Sequence, residues 1–395
     1  MRVGEFGLIQ LRKLDVSVVC LSIGLSILYF LPQNPLRWQF QETLLFVGVS
    51  LAIAHQVWRR FGVILAANVL WCLLVGFYYF KFPKFYFGIF ADLAQAFYPS
   101  VVADGLLWCL CFVFLGFWIC GSHKRMRVFL QACEWMLWIQ VFGMILHRVF
   151  GVEFPRYLGA MDNEAFDSTL LIVLYPLSLI RNERSFWQHL LFGIFIFLCE
   201  STTAILGLGL VWVGWLVLTG FKKDELVNFI LGFAMFCGAI LMTSWWYGFD
   251  HFWHASGRFV IWKKTFAYWM QDDVWHKILG VGPGSFEIYG PGIQLQQTVP
   301  GGLNMVYIWL HNDYLQNLFE LGLVGFCLFL ALHVQVLYVS YKIEKPWLFL
   351  SAFAFSFIEL TQAPFRHAPT SIVGLLILLL VMDSKIKDYN VRRDF

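Results

Sequence analysis

Residues 313–341 read DYLQNLFELGLVGFCLFLALHVQVLYVSY, a long apolar run whose acidic residues, Asp313 and Glu320, lie near its start. A helix needs about 20 predominantly apolar residues to cross the hydrocarbon core of a bilayer. This run exceeds that length, so it predicts a membrane-spanning helix. The same pattern recurs along the chain and decides the fold class.

Other apolar runs of comparable character precede and follow this segment. They lie near 14–31, 41–58, 61–80, 101–120, 128–149, 168–180, 188–199, 204–220, 226–243, 347–363 and 370–382. With the first run they predict an all-α, polytopic membrane protein of about 12 transmembrane helices. Residues 1–243 would contain helices 1 to 9 with short loops, 244–312 a large periplasmic segment, and 313–395 helices 10 to 12 and a cytoplasmic tail.

The composition agrees with membrane integration and excludes a large soluble domain. Of 395 residues, 59% are hydrophobic and 13% charged, against roughly 45–50% and about 25% in soluble domains. About 12 spans would take roughly 240 residues, and no remaining stretch could form a Rossmann-type nucleotide-sugar domain. The nine cysteines lie in apolar runs, which indicates neither a disulfide framework nor a metal site.

The distribution of positive charge predicts the orientation. The first run follows Arg12 and Lys13 and has no small-residue cleavage site after it, so we interpret it as a retained anchor with a cytoplasmic amino terminus. Alternating sides from there places most of the 28 Lys and Arg residues inside, as the positive-inside rule expects. Residues 244–312 then face outward.

The outward segment begins with a predicted amphipathic helix. Phe259, Trp262, Phe266 and Trp269 recur at helical spacing, which is typical of a helix on the membrane surface. Arg258 precedes them at the helix start, where unpaired N–H groups and a guanidinium together suit a phosphate. An alternative is that Arg258 pairs with Asp250 or with a lipid headgroup.

Two further motifs follow in the outward segment. The first, LGVGPGSF at 279–286, predicts a tight turn in which Gly282 and Gly284 permit close backbone approach to a ligand, although a connecting turn explains it as well. The second, HNDYL at 311–315, places His311 and Asn312 at the outer end of the next span. Helical spacing then puts a polar stripe, ending at Glu320, toward the bundle or a hydrated cavity.

In combination these motifs resemble the O-antigen ligase and polysaccharide polymerase superfamily of bacterial inner-membrane glycosyltransferases. The match is carried by Gly257, Arg258, Trp262, the loop at 280–286, the motif at 311–315, Glu320, Gly322 and Gly325. The resemblance implies that a glycan is transferred from undecaprenyl diphosphate to a hydroxyl of lipid A core, or to a lipid-linked glycan acceptor, at the periplasmic face. It implies no metal and no cofactor, and we expect membrane lipids but no nucleic acid as partners.

Roles follow for individual residues. Arg258 is expected to bind the diphosphate, and His311 is expected either to accept the acceptor hydroxyl's proton or to serve as a further cationic ligand. We expect substrate contacts from Asn312, Gly282, Gly284 and Glu320. The family commonly places another arginine at the outer start of a middle span, where this chain reads Glu-Ser-Thr-Thr-Ala at 200–204. Arg156 or Arg148 is the predicted substitute.

Several functions remain open at this level. The leading prediction is a ligase that joins glycan to lipid A core, and the alternative is a polymerase of O-antigen or exopolysaccharide repeat units, because the same chemistry serves both. A protein O-oligosaccharyltransferase and a transporter of lipid-linked glycans are two further alternatives. The transporter is permitted by the number of spans alone.

Overall fold

The structure is a computed structural model of the chain. It describes residues 50–51, 53–81, 119–120, 122–149, 164–178, 191–196, 201–219, 258–286, 290, 310–343, 345–362, 374 and 377–383. Within these ranges every regular element is an α-helix, as the sequence predicts.

The main helices fall within or close to the predicted apolar runs and the predicted surface helix. They are α1 Val63–Lys81, α2 His123–Val149, α3 Glu164–Ser178, α4 Thr202–Thr219, α5 Arg258–Gln271, α6 Val274–Leu279, α7 Asp313–Lys342 and α8 Pro346–Ile358. Shorter helical stretches cover 53–61, 191–196 and 377–382. The predicted runs at 14–31 and 226–243, and most of the run at 101–120, lie outside the described residues.

Two of the described helices are long and apolar enough to cross a membrane. They are His123–Leu146 within α2 and Asp313–Lys342, which is α7. Large apolar side chains remain exposed on both, including Trp135 and Phe142 on α2 and Val334 on α7. Contiguous exposed apolar surface of this kind marks a membrane or protein contact. The predicted total of about 12 spans extends beyond the described part of the chain.

Packing brings the start of α7 to the end of α8. Helix α8 contacts α3, α4 and α7, while α7 also contacts α1, α5 and α6. The shared core is fully buried, as Leu171 of α3 and Leu348 and Phe355 of α8 illustrate. Pro346 opens α8, where its missing N–H removes no helical hydrogen bond. Because α7 and α8 are adjacent in sequence and packed together, the residues after Ile358 lie beside Asp313.

Helix α7 is broken at Gly322, which the apolar pattern of 313–341 does not predict. Gly322 has φ +67° and ψ −172°, a backbone geometry that disfavours residues with a side chain. A Cβ atom there would collide with the backbone of Ile278 and Gly280. The break therefore lets the loop after α6 approach the backbone of α7 directly.

Helix α5 is described from Arg258 to Gln271, which agrees with the helix that the amphipathic pattern predicts. Phe259 and Phe266 are exposed, whereas Ile261 faces the protein with Lys264. Lys264 is only 5% exposed although lysine is rarely buried. The buried face is thus mixed, and the exposed face carries the aromatic residues that suit a membrane surface.

Candidate functional site

The three sequence motifs meet around the start of α7. Indole Nε1 of Trp262 in α5 donates to the carbonyl of Leu310 at 2.7 Å. The backbone N–H of Leu310 lies 3.4 Å from Oε1 of Gln316. Leu310 is fully buried with Ile261 and Phe319. These contacts fix the residue that directly precedes His311.

The glycine-rich loop is attached to α7 through Glu320. Oε2 of Glu320 accepts from the N–H of Gly284 at 2.8 Å, and Oε1 accepts from Nε2 of Gln316 at 2.8 Å. The N–H of Gly282 donates to the Glu320 carbonyl, also at 2.8 Å. Only 1% of Glu320 is exposed, so its carboxylate is satisfied inside the protein.

The loop requires its glycines for this approach. Gly280, Gly282 and Gly284 all have positive φ values, of 85°, 115° and 78°, which residues with a side chain adopt rarely. A Cβ atom on Gly280 would also collide with the backbone of Glu320 and Gly322. The pair of glycines at 280 and 322 therefore permits contact between two backbones.

These contacts give Gly282, Gly284 and Glu320 a structural task within the protein, and their predicted contact with substrate stays a prediction. The N–H groups of both glycines point at Glu320. Asn312 likewise has a structural task, because its side chain caps α7 by accepting from the N–H of Leu315 at 2.9 Å. These four residues therefore hold the loop and the start of α7 in place.

His311 and Arg258 lie close together at the mouth of α7. His311 is half-buried and adopts φ +51°, a left-handed geometry that is uncommon for a residue with a side chain and is often found at functional sites. Burial and the adjacent positive charge of Arg258 lower the pKa of His311 to about 4, although the side chain of Gln362 opposes part of this shift. The imidazole is therefore neutral near pH 7.

Arg258 is held by the turn that follows α8. Its Nη1 donates to the carbonyl of Thr361 at 2.7 Å. The hydroxyl of Thr361 lies 2.7 Å from that of Thr203 in α4, which ties this turn to the bundle. A guanidinium anchored at one nitrogen keeps a defined orientation, and it has five N–H donors in total.

A neutral imidazole beside a fixed guanidinium supports two chemical tasks. The guanidinium can bind an oxyanion such as a phosphate through charge-assisted hydrogen bonds. The imidazole can accept a proton because it is unprotonated at neutral pH. Burial strengthens the attraction between guanidinium and oxyanion, since the local dielectric constant is lower than that of water, whereas it lowers the pKa of His311 and so keeps the imidazole unprotonated.

The two candidate second arginines are placed only in part. Arg148 lies in the last turn of α2, next to Val149, and Arg156 lies outside the described residues. Their predicted contact with substrate stays a prediction.

The sequence interpretation missed two ionisable residues near this site. His333 and Glu359 are buried where α7 and α8 meet, with His333 Nε2 2.7 Å from Glu359 Oε2 and the ring of Tyr314 beside His333. Residues 347–363 read as one apolar span, which hid Glu359. A usable signal was present, because an ionisable residue inside an apolar run calls for a buried partner.

A group with metal-ligand spacing lies away from the Arg258 site. Ligand atoms of Asp272, Asp273 and His276 lie within 4.8 Å of one another. Asp273 caps α6 by accepting from the N–H of Trp275 and of His276. His276 Nδ1 contacts both carboxylates, at 3.0 and 2.8 Å. Hydrogen bonding within the helix cap accounts for this arrangement.

Comparison with known proteins adds no assignment. No protein-family model matches the chain, and no curated protein matches it. The function must therefore be argued from the residues and their geometry.

Proposed function

We propose that this chain is an O-antigen ligase-like glycosyltransferase of the bacterial inner membrane. It would transfer a glycan from undecaprenyl diphosphate to a hydroxyl of lipid A core at the periplasmic face, without a metal. The observation that carries the proposal is that Arg258 and His311 meet at one turn, since Arg258 donates to the carbonyl of Thr361 and the next residue, Gln362, bonds to His311. The resemblance of the motifs at 257–262, 280–286 and 311–315 supplies the substrate class.

Arg258 would stabilise the leaving group. As the bond between the anomeric carbon and the diphosphate oxygen breaks, negative charge develops on the diphosphate. The guanidinium of Arg258 is oriented by its hydrogen bond to Thr361. It would bind this charge more tightly in the transition state than in the ground state. Arg148 or Arg156 would supply the second positive charge.

His311 would act on the acceptor. The acceptor hydroxyl oxygen would form the new bond to the anomeric carbon and transfer its proton to His311, so that direct displacement inverts the configuration. The low pKa of His311, caused by burial and by Arg258, keeps the imidazole unprotonated before the reaction. This favours the base over the third cationic ligand, the two roles that the sequence leaves open.

The membrane would supply both substrates. The apolar helices α2 and α7 and the exposed Phe259 and Phe266 of α5 suit a site at the bilayer surface, where a polyprenyl tail stays in lipid and its diphosphate reaches the protein.

The proposal can be tested by comparing the lipid-linked and core-attached glycans of a strain that lacks the gene with those of the wild-type strain. If the protein is a ligase, long lipid-linked polymer should accumulate in this strain and none of it should be attached to lipid A core. If the core instead carries single repeats, the protein is a polymerase. If polymer fails to reach the periplasmic face at all, the transporter alternative is correct and the transferase proposal is wrong.

A further inference from the structure

Glu359 and His333 are buried against each other where α7 and α8 meet. Their exposed side-chain fractions are 0% and 2%. His333 Nδ1 lies 2.9 Å from the carbonyl of Phe329, and this nitrogen carries a proton because a carbonyl can only accept. His333 Nε2 lies 2.7 Å from Glu359 Oε2, so the two ionisable groups are in direct contact.

Stability alone does not account for such a pair. The cost of removing two ionisable groups from water often exceeds their attraction, and apolar side chains of similar volume are frequently at least as stabilising. A buried pair does, however, fix its two elements in one relative position, because a shift leaves both groups without compensation.

Glu359 holds the start of α7. Its carbonyl accepts from the N–H of Asp313 at 2.9 Å. Its carboxylate also faces Tyr314, whose hydroxyl donates to the carbonyl of Ser356 at 3.1 Å. Glu359 thus joins the end of α8 to α7 at two places. Its backbone carbonyl contacts the first turn of α7, and its carboxylate contacts His333.

The turn that Glu359 begins carries both contacts to the proposed site. Thr361, two residues later, provides the carbonyl that orients Arg258. Gln362, the next residue, lies against His311. A displacement of Glu359 would therefore move the partners of Arg258 and His311 together.

We infer that the Glu359–His333 pair is the positioning device of the Arg258–His311 site. This inference rests on the proposed function in one respect, because glycan transfer is the reaction whose rate the pair would affect. Neither residue touches the substrate. The pair sets the turn at 359–362 against α7, and this turn sets the guanidinium and the imidazole relative to each other.

The test uses the full-length protein purified in detergent, with Glu359→Gln, His333→Gln and the double variant. Ser340→Ala is the matched control, because Ser340 is also buried in α7 and bonds only locally, to the carbonyl of Leu337. The first readout is transfer rate per folded protein. The second is the rate at which diethylpyrocarbonate modifies His311 as a function of pH, measured by mass spectrometry.

Each single variant is expected to lose about tenfold to a hundredfold in transfer rate, the effect of small misplacement of reacting groups. The double variant is expected to lose no more than the worse single variant, because the two residues act as one unit. The apparent pKa of His311 is expected to move from about 4 toward its ordinary value of about 6.5 as Arg258 and burial loosen. A smaller folded fraction alone would not move this pKa, and Ser340→Ala is expected to change neither readout.

The two proposals fail in different ways. If wild-type protein transfers no glycan yet the variants shift the pKa of His311, the proposed function is wrong and the positioning role stands. If wild-type transfer is normal and both single variants match Ser340→Ala in rate and in pKa, the positioning inference is wrong. Additive losses in the double variant would also overturn it.

Discussion

The glycine-rich loop and the Arg258–His311 pair are both assigned to the site by sequence, but the structure gives them different tasks. The loop directs the N–H groups of Gly282 and Gly284 at Glu320, inside the protein. Arg258 and His311 meet at the mouth of α7, where burial and charge make the imidazole neutral. The comparison shows that a polar residue within a motif can serve the fold, and that its partners decide which role it has.

The largest expected effect comes from Arg258→Ala. Loss of a charge-assisted hydrogen bond, about 1.5–3 kcal/mol, should lower the transfer rate at least about tenfold to a hundredfold. Arg258→Lys should recover only part of the rate, since an ammonium lacks the bidentate geometry. Lys263→Ala, an exposed positive residue on the same helix, is the control. If Arg258→Ala and this control have equal rates, the Arg258–His311 pair has no more direct part in the reaction than the glycine-rich loop.

His311 should determine the acid limb of the rate profile. A general base must be unprotonated, so kcat/KM should fall only as pH decreases through about 4, and not near 6.5 where an ordinary histidine titrates. His311→Ala should lose both rate and this limb, while His55→Ala, an exposed histidine, should keep both. An acid limb near pH 6.5 in wild-type protein would contradict the environment described for His311.

Glu320→Gln should affect folding more than chemistry. It replaces a carboxylate that accepts from Gly284, and weakening a buried hydrogen bond to a charged group should cost about 1–3 kcal/mol of stability. The rate per folded protein should stay within about threefold of wild type, because Glu320 is expected to contribute less than about 1 kcal/mol to the stabilisation of the transition state. A large loss of rate in fully folded protein would return Glu320 to the substrate site.

The smallest effect is expected from chelators. Arginines replace a metal in the proposed mechanism, so EDTA should leave the transfer rate unchanged. Asp272→Asn, which alters the group around His276, should also keep the rate. Activity that is lost with EDTA and restored by a divalent cation would show that the proposed mechanism lacks a component.

Sequence patterns predicted the helices because their physical causes are local. The apolar run at 313–341 corresponds to α7, and the amphipathic spacing after Arg258 corresponds to α5. The close approach of Gly280 to Gly322 could not be predicted, because it depends on two backbones that are distant in sequence. The sequence marked both glycines as part of a motif without indicating that they touch.

The sequence marked the two ionisable side chains of the candidate site and gave no sign of the groups that hold them. Arg258 and His311 stand out because phosphate binding and proton transfer need those side chains. Thr361 contributes a backbone carbonyl, which every residue has, so no sequence pattern reveals it. Glu359 was visible as a carboxylate within an apolar run, but its partner His333 is on another helix, and only the packing of α7 on α8 brings the two together.

The most direct test of the central claim is transfer by the purified protein. Wild-type protein, Arg258→Ala and His311→Ala would each be mixed with undecaprenyl-diphosphate glycan and lipid A core, and the glycosylated core would be measured over time by mass spectrometry. We predict that wild-type protein forms this product and that both variants form it at least about tenfold more slowly. No product from wild-type protein, or undiminished product from either variant, would contradict the account.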